Sequence, residues 1–573
     1  MSSNPADPVS SAPFNPGPYM VDPPPDLLPA SLLPGPTLFV MAVSFLVIVP
    51  FFFLGNPSGH DFEFHMFSWM EVVGQWKQGI LYPRWASLSH WGYGEARFLF
   101  YPPLSWNLGA LLGAILPWRM APGAYIWAAL SAAGCSMFLL ARRWMPRREA
   151  MFAAALYAVN PYHLVIVYWR SALAELLASC LLPLLLLCVL SLADGRRRSI
   201  IPLSLIITAA WLTNGPSAVM VNYSVALLAL VIAIVKRQPR IVAMAGVAVL
   251  LGGLLPSFYL LPAAYEQRWV NLSEVFAPGV RPQDNFLFTT LADVDHNHFN
   301  WLVSTVAVAE VAVVLIALSV TARLRRTQHA VWWALAAWTA AATLLMLPFT
   351  AVFWDHLPKL RFVQLPWRWL LCLNVAFAIF VTAAFRRWWQ RAAIYAAMLI
   401  TLGVLWSRVQ PPWWDTAADI DEMHDAIEDG SGYEGTDEYV PVGVDPSDVN
   451  KDAPPVALQG GRNAKVDIDT WLAQTKRFHV AANEALAARL RLFNYPAWQV
   501  SVDGAPVQPE TVENTGEILV PLPAGKHHVD VTFGRTWDRK VGVLVSALAL
   551  LLLLAVWLAE RGRAFEDREK PQA

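Results

Sequence analysis

About twelve apolar runs punctuate this chain, and no other feature limits its fold as strongly. They lie near residues 37–54, 123–141, 150–168, 173–193, 200–213, 218–235, 241–262, 301–322, 330–351, 369–385, 391–407 and 541–559. A helix of about 20 residues crosses the hydrocarbon core of a bilayer, so the series predicts a polytopic α-helical membrane protein. Charge supports this reading, because Asp, Glu, Lys and Arg make up 15% of the chain, against about 25% in soluble domains. A net charge of -1 leaves no basic field for nucleic acid, which is excluded as a partner. Cys135, Cys180, Cys188 and Cys372 sit inside apolar runs without metal-ligand spacing and read as small buried hydrophobes.

Lys and Arg collect in alternate connections: Arg142 to Arg148, Arg196 to Arg198, Lys236 to Arg240, Arg323 to Arg326 and Arg386 to Arg391, with Arg561 and Arg563 in the tail. By the positive-inside rule these connections are cytoplasmic. The alternation requires that the short stretch Leu104 to Trp118, opened by Pro102 and Pro103, lies in the membrane plane or re-enters on the outer side. Both termini are then cytoplasmic, and the chain is expected in the cell inner membrane.

The expected division is as follows. Residues 1–36, rich in Pro and Ser, form a disordered cytoplasmic tail, and residues 37–408 a transmembrane domain whose long outer first loop is 55–122. An acidic linker, 409–474, contains a short solvated helix around Asp419 to Asp429. A β-sandwich-like outer domain, 475–540, is read from alternating stretches at Ala487 to Phe493, Trp498 to Val502, Ile518 to Leu522 and His528 to Phe533. The last span and a cytoplasmic tail occupy 541–573.

Four polar clusters stand where chemistry could occur. Asp61 and His65 lie four residues apart, on one face of a helix running to about Gln78 in the membrane interface. An acid there serves as a base for an acceptor hydroxyl, or it is simply the N-cap of that helix. Glu175 falls within an apolar helix with Arg170 as its natural partner; the pair either belongs to a site or pins two helices. Arg361, Gln364 and Arg368 stand among aromatics on the outer side, against the charge trend. Guanidinium forks there suit a lipid-linked phosphate, unless the side chains merely snorkel to headgroups. The stretch Asp293 to His298 suggests a cation loop but lacks the Gly and distal Glu of an EF-hand.

Further stretches carry a family likeness: Asp61 to His65, Tyr82-Pro83-Arg84-Trp85, Gly92-Tyr93-Gly94, Phe100 to Leu104, Arg170 to Glu175, Gly432 to Tyr439 and Tyr495-Pro496-Ala497-Trp498. In this order they resemble the membrane proteins labelled 6-pyruvoyl-tetrahydropterin-synthase-related and their YfhO-type bacterial relatives, within the GT-C group of glycosyltransferases. The likeness covers most of residues 37–560. It implies a GT-C fold, an active site at the outer membrane face and a polyprenyl-phosphate sugar donor. By position, Asp61 matches the first-loop acid proposed as base in that group, and Glu175 stands where a second acid is often found.

The expectation is therefore an inverting glycosyltransferase acting on an envelope glycan or lipid acceptor. Asp61 and Glu175 are its catalytic candidates, with His65, Arg170, Arg361, Gln364 and Arg368 as substrate contacts. No resident metal or cofactor is expected, although a divalent cation is compatible. The rivals are a lipid or polysaccharide transporter and a non-catalytic envelope-glycan assembly factor.

Overall fold

In the computed structural model the described residues are 34–325, 329–409, 413–460 and 464–569. The expected N-terminal tail lies outside them up to residue 33. Every expected span is helical over most of its length, some with breaks. Among the described residues, eight helices are long and apolar enough to cross a membrane: Pro34–Leu54, Trp118–Ala141, Arg147–Arg170, Leu173–Ala193, Gly215–Lys236, Val294–Arg323, Pro366–Ala384 and Trp537–Ala559. Two bent pairs raise the count to ten, Arg240–Leu254 with Ser257–Trp269 and His329–Leu345 with Pro348–His356. The count thus falls short of about twelve. The other two expected spans are Ile200–Thr213, only 14 residues long, and Trp388–Val409. Pro103–Ile115 is a short apolar helix, below spanning length.

Charges close the two ends of the helical body. At one end Asp194, just past Leu173–Ala193, pairs with Arg143 and, at 3.1 Å, with Lys236, while Glu149 pairs with Arg391. The opposite end carries the first loop, the connection 270–293 and the β region.

That region comprises strands β3 (Val456–Gln459), β4 (Lys465–Leu472), β5 (Thr475–Ala482), β6 (Leu486–Phe493), β7 (Trp498–Val502), β8 (Ala505–Val507), β9 (Glu510–Thr511), β10 (Glu517–Leu522) and β11 (Gly525–Phe533); the short β1 (Asn56–Pro57) and β2 (Trp414–Asp415) pair with each other near the membrane. A four-stranded sheet, β3-β6-β10-β9, and a five-stranded sheet, β4-β5-β11-β7-β8, share one apolar core. Residues facing that core are buried in alternation, as at Phe478 and Val480 or Val529 and Val531. The expected Asp503-Gly504 turn is present, both residues having positive φ, 51° and 79°, as a tight hairpin requires.

Two features revise the expected boundaries. The sandwich starts at Val456 rather than 475, because β3 and β4 belong to it. The first loop also completes its core: Trp85 is fully buried, 5.5 Å from Tyr495, 5.7 Å from Trp498 and 5.7 Å from Phe533, and Tyr93 stacks on Phe493 at 5.4 Å. The acidic segment does form a helix, Ala417–Glu428, whose Asp419 carboxylate accepts from the Thr416 N–H at 2.7 Å.

Candidate active site

The span Arg147–Arg170 does not end as a plain α-helix. Asn160 interrupts it, accepting the His163 N–H at 2.9 Å and capping Pro161–Val165. A π-helical turn, Ile166–Arg170, follows and stops at Ser171, which is left-handed at φ 47°. Such widened turns re-aim side chains and often mark functional sites. The backbone at this break receives the first loop: the Asp61 N–H donates to the Arg170 carbonyl at 3.0 Å. Ser171 Oγ accepts from the Gly59 N–H at 3.0 Å and donates to the Pro57 carbonyl at 2.9 Å. A Cβ at residue 59 would stand 2.4 Å from the Trp169 carbonyl oxygen, so only glycine permits this approach.

Glu175, in the first turn of the next helix, is 1% exposed. Its Oε1 accepts from the Tyr162 hydroxyl at 2.6 Å, and its Oε2 from Arg170 at 2.6 Å and Arg368 Nε at 3.0 Å. The Arg170 guanidinium also lies 4.6 Å over the Trp367 ring. Arg368 is aimed by a γ-turn: Gln364 has φ 61° and ψ -56°, and the Leu365 N–H reaches back to the Val363 carbonyl at 2.7 Å. Arg368 donates onward to that carbonyl at 2.8 Å and to Gln364 Oε1 at 3.2 Å, while Gln364 donates to the Val275 carbonyl at 2.9 Å. Two guanidiniums thus share one carboxylate, and the trio carries one net positive charge at the mouth of the helical body.

Asp61 stands beside this trio. It occupies the N-cap position of Phe62–Lys77, yet its side chain makes no cap hydrogen bond. Its carboxylate is half-buried and close enough for its charge to act on Arg170, His65, Tyr101 and Glu438. His65 is buried 5.9 Å from Trp69 and 6.0 Å from Tyr101, ring to ring, with Nε2 unpartnered. Burial pushes its pKa down to about 4, only partly opposed by Asp61, so it is neutral.

A wall of buried charge braces this end of the molecule. Glu71 accepts from the Tyr433 hydroxyl at 2.7 Å and the Ser87 hydroxyl at 3.0 Å. Burial alone would raise the Glu95 carboxyl, but Arg97, at 2.5 Å, and His90, at 3.0 Å, hold it below its ordinary value. The Thr436 N–H donates to Glu95 at 2.7 Å, which lays Gly432 to Tyr439 across the first loop. Glu438 comes with that segment. Burial, with Glu95 and Asp61 nearby, raises its carboxyl above the usual range despite a hydrogen bond from Tyr439.

The structure thus gathers Arg170, Glu175, Gln364 and Arg368 into one network, with Asp61 and His65 adjoining it. Arg361 is not in that network; it is exposed, 5.0 Å over Phe276. Asp293, in the expected cation loop, caps Val294–Val320 through the Asp295 and His296 N–H groups at 2.9 and 3.2 Å. Sequence reasoning missed Tyr162, Trp367 and Glu438 as site residues, and the Glu95–Arg97 pair entirely. The pair's one available signal was two opposite charges, separated by Ala96, between two family stretches.

No curated protein matches the chain. Among solved structures, ArnT from Cupriavidus metallidurans bound to undecaprenyl phosphate is similar at 13% identity and a TM-score of 0.37, covering 69% of this chain and 76% of that one. A superposition that loose fixes no residue correspondence. The family described as the 6-pyruvoyl-tetrahydropterin synthase related domain, a membrane protein family, matches residues 98–414, which include the Arg170–Glu175–Arg368 network. With more than half its length so matched, the chain belongs to that family.

Proposed function

We propose that this protein is an inverting membrane glycosyltransferase of the GT-C type, moving a sugar from a polyprenyl-phosphate donor to an envelope glycan or lipid at the outer face of the inner membrane. One observation carries the reading: a buried, net positive Arg170–Glu175–Arg368 trio beside an Asp61 carboxylate that caps nothing. Asp61 accepts the proton of the acceptor hydroxyl as its oxygen attacks the anomeric carbon, which inverts. The bond from that carbon to the donor phosphate breaks, its electron pair stays on the phosphate, and Arg170 and Arg368 balance the charge. Glu175, with both oxygens engaged, aims the two guanidiniums. His65 and Gln364 line the approach, and exposed Arg361 meets donor headgroups at the rim.

A transporter or non-catalytic assembly factor is the second reading. It is favoured by Glu310, a carboxylate buried in Val294–Val320 whose Oε2 has no partner and whose Oε1 accepts the Tyr162 N–H at 3.3 Å. Mass spectrometry of envelope glycans and lipid-linked sugars from cells lacking the protein separates these readings. A transferase loses one sugar from the glycan and accumulates its charged donor lipid. An unchanged glycan with unchanged donor pools contradicts the transferase reading.

A further inference from the structure

The solvent-exposed face of the five-stranded sheet carries a cluster that the transferase reading does not use. Strands β5 and β11 pair in a register that sets His479 directly opposite His528, ring centroids 4.5 Å apart. On the other side of β5, Ile468 pairs with Phe478 and Thr470 with Arg477, so Asp469 is the extra residue of a bulge in β4. A bulge re-aims a side chain. Here Asp469 Oδ2 stands 2.9 Å from His479 Nε2. One ligand atom from each of Asp469, His479 and His528 lies within 4.8 Å of the other two, the one such triad among the described residues.

The surroundings point to an ion rather than to a chance ion pair. His528 Nε2 lies 3.0 Å from Asp530 Oδ2, and the other Asp530 oxygen is held by Arg477 Nε at 3.0 Å. A carboxylate behind a histidine is the usual backing of a metal-bound imidazole, since it fixes the tautomer and aims the free nitrogen. The nitrogen left over, His528 Nδ1, is buried and has no hydrogen-bond partner.

We propose that Asp469, His479 and His528 bind a divalent transition-metal ion of the zinc class, which fastens the edge strand β4 to β5 and β11. Two imidazoles and one carboxylate suit tetrahedral zinc with water as fourth ligand, whereas calcium and magnesium prefer all-oxygen sets. The bulged edge strand is where such a clip acts, because an edge has one neighbour only.

The test is zinc titration of the detergent-solubilised, chelator-dialysed full chain, with bound metal measured by elemental analysis and affinity by competition with a chromogenic chelator. The wild type is expected to hold one zinc per chain, unaffected by millimolar magnesium. The His479→Gln/His528→Gln double variant loses it. Asp530→Asn keeps the stoichiometry but binds about 10- to 100-fold more weakly, which a purely structural Asp530 would not produce. Should the double variant lose monodispersity, Asp469→Asn replaces it and is expected to weaken zinc binding. Equal zinc on wild type and the ligand variants, or none on the wild type, overturns the site.

Discussion

Glu175 shows how much one buried side chain depends on its neighbours. Its two oxygens take hydrogen bonds from Tyr162, Arg170 and Arg368, and removing one member of such a network leaves an uncompensated charge. Arg368→Lys keeps the charge but cannot reach Glu175, Val363 and Gln364 together. Losing one charge-assisted hydrogen bond of this kind costs about 1.5–3 kcal/mol. Turnover on a polyprenyl-phosphate sugar is therefore expected to fall at least tenfold at unchanged abundance, measured in proteoliposomes. His65 gives a pH prediction. Its folded pKa of about 4 lies below the ordinary 6.5, so the unfolded chain binds the proton first as pH falls. Its contribution to stability is full above about pH 6.5 and is lost as pH falls towards 4. Comparing thermal midpoints at pH 7.5 and 5, His65→Gln is expected to lose less than the wild type. Arg170, Glu175 and Arg368 were legible in the sequence because ionisable groups at span ends stand out. Tyr162 and the aim of Arg368 were not, since a π turn and a γ-turn set them.

Among the elements, the alternating strands β6, β7, β10 and β11 were read to within a few residues, because one face of each is buried. β3 and β4 escaped. β3 has four residues, and β4 is an edge strand whose side chains are mostly exposed, so neither shows the apolar alternation that marks a half-buried strand. The sharing of Trp85 between loop and sandwich was equally hidden, as no local pattern reports a contact across 400 positions. Its consequence is testable. Trp85→Ala empties the core between Tyr495, Trp498 and Phe533, a change that costs about 3–5 kcal/mol. Limited proteolysis of the solubilised protein should then cut within 456–533 much faster than in the wild type, although the substitution lies in the first loop.

At the scale of the whole molecule, long-range ion pairs tie distant parts together. Arg539, entering the last span, grips Glu266 through two bonds of 2.7 Å, and the Tyr495 hydroxyl joins them at 2.6 Å, so the sandwich, a bent span and the last helix meet at one carboxylate. The Asp194 pairs close the far end. The orientation predicted from charge places Arg147 in the cytoplasm and Asp293 outside. Reporter fusions test it: alkaline phosphatase should be active at Asp293 and inactive at Arg147, and the reverse pattern would invert the topology. The central claim is that Asp61 acts as a base, and asparagine separates this from a structural role, being nearly isosteric and an equal N-cap. Cells lacking the protein and complemented with Asp61→Asn, at wild-type abundance in the membrane, should fail to restore the missing glycan sugar, since a positioned base contributes about 10²- to 10⁴-fold. Full restoration by that variant would contradict the account.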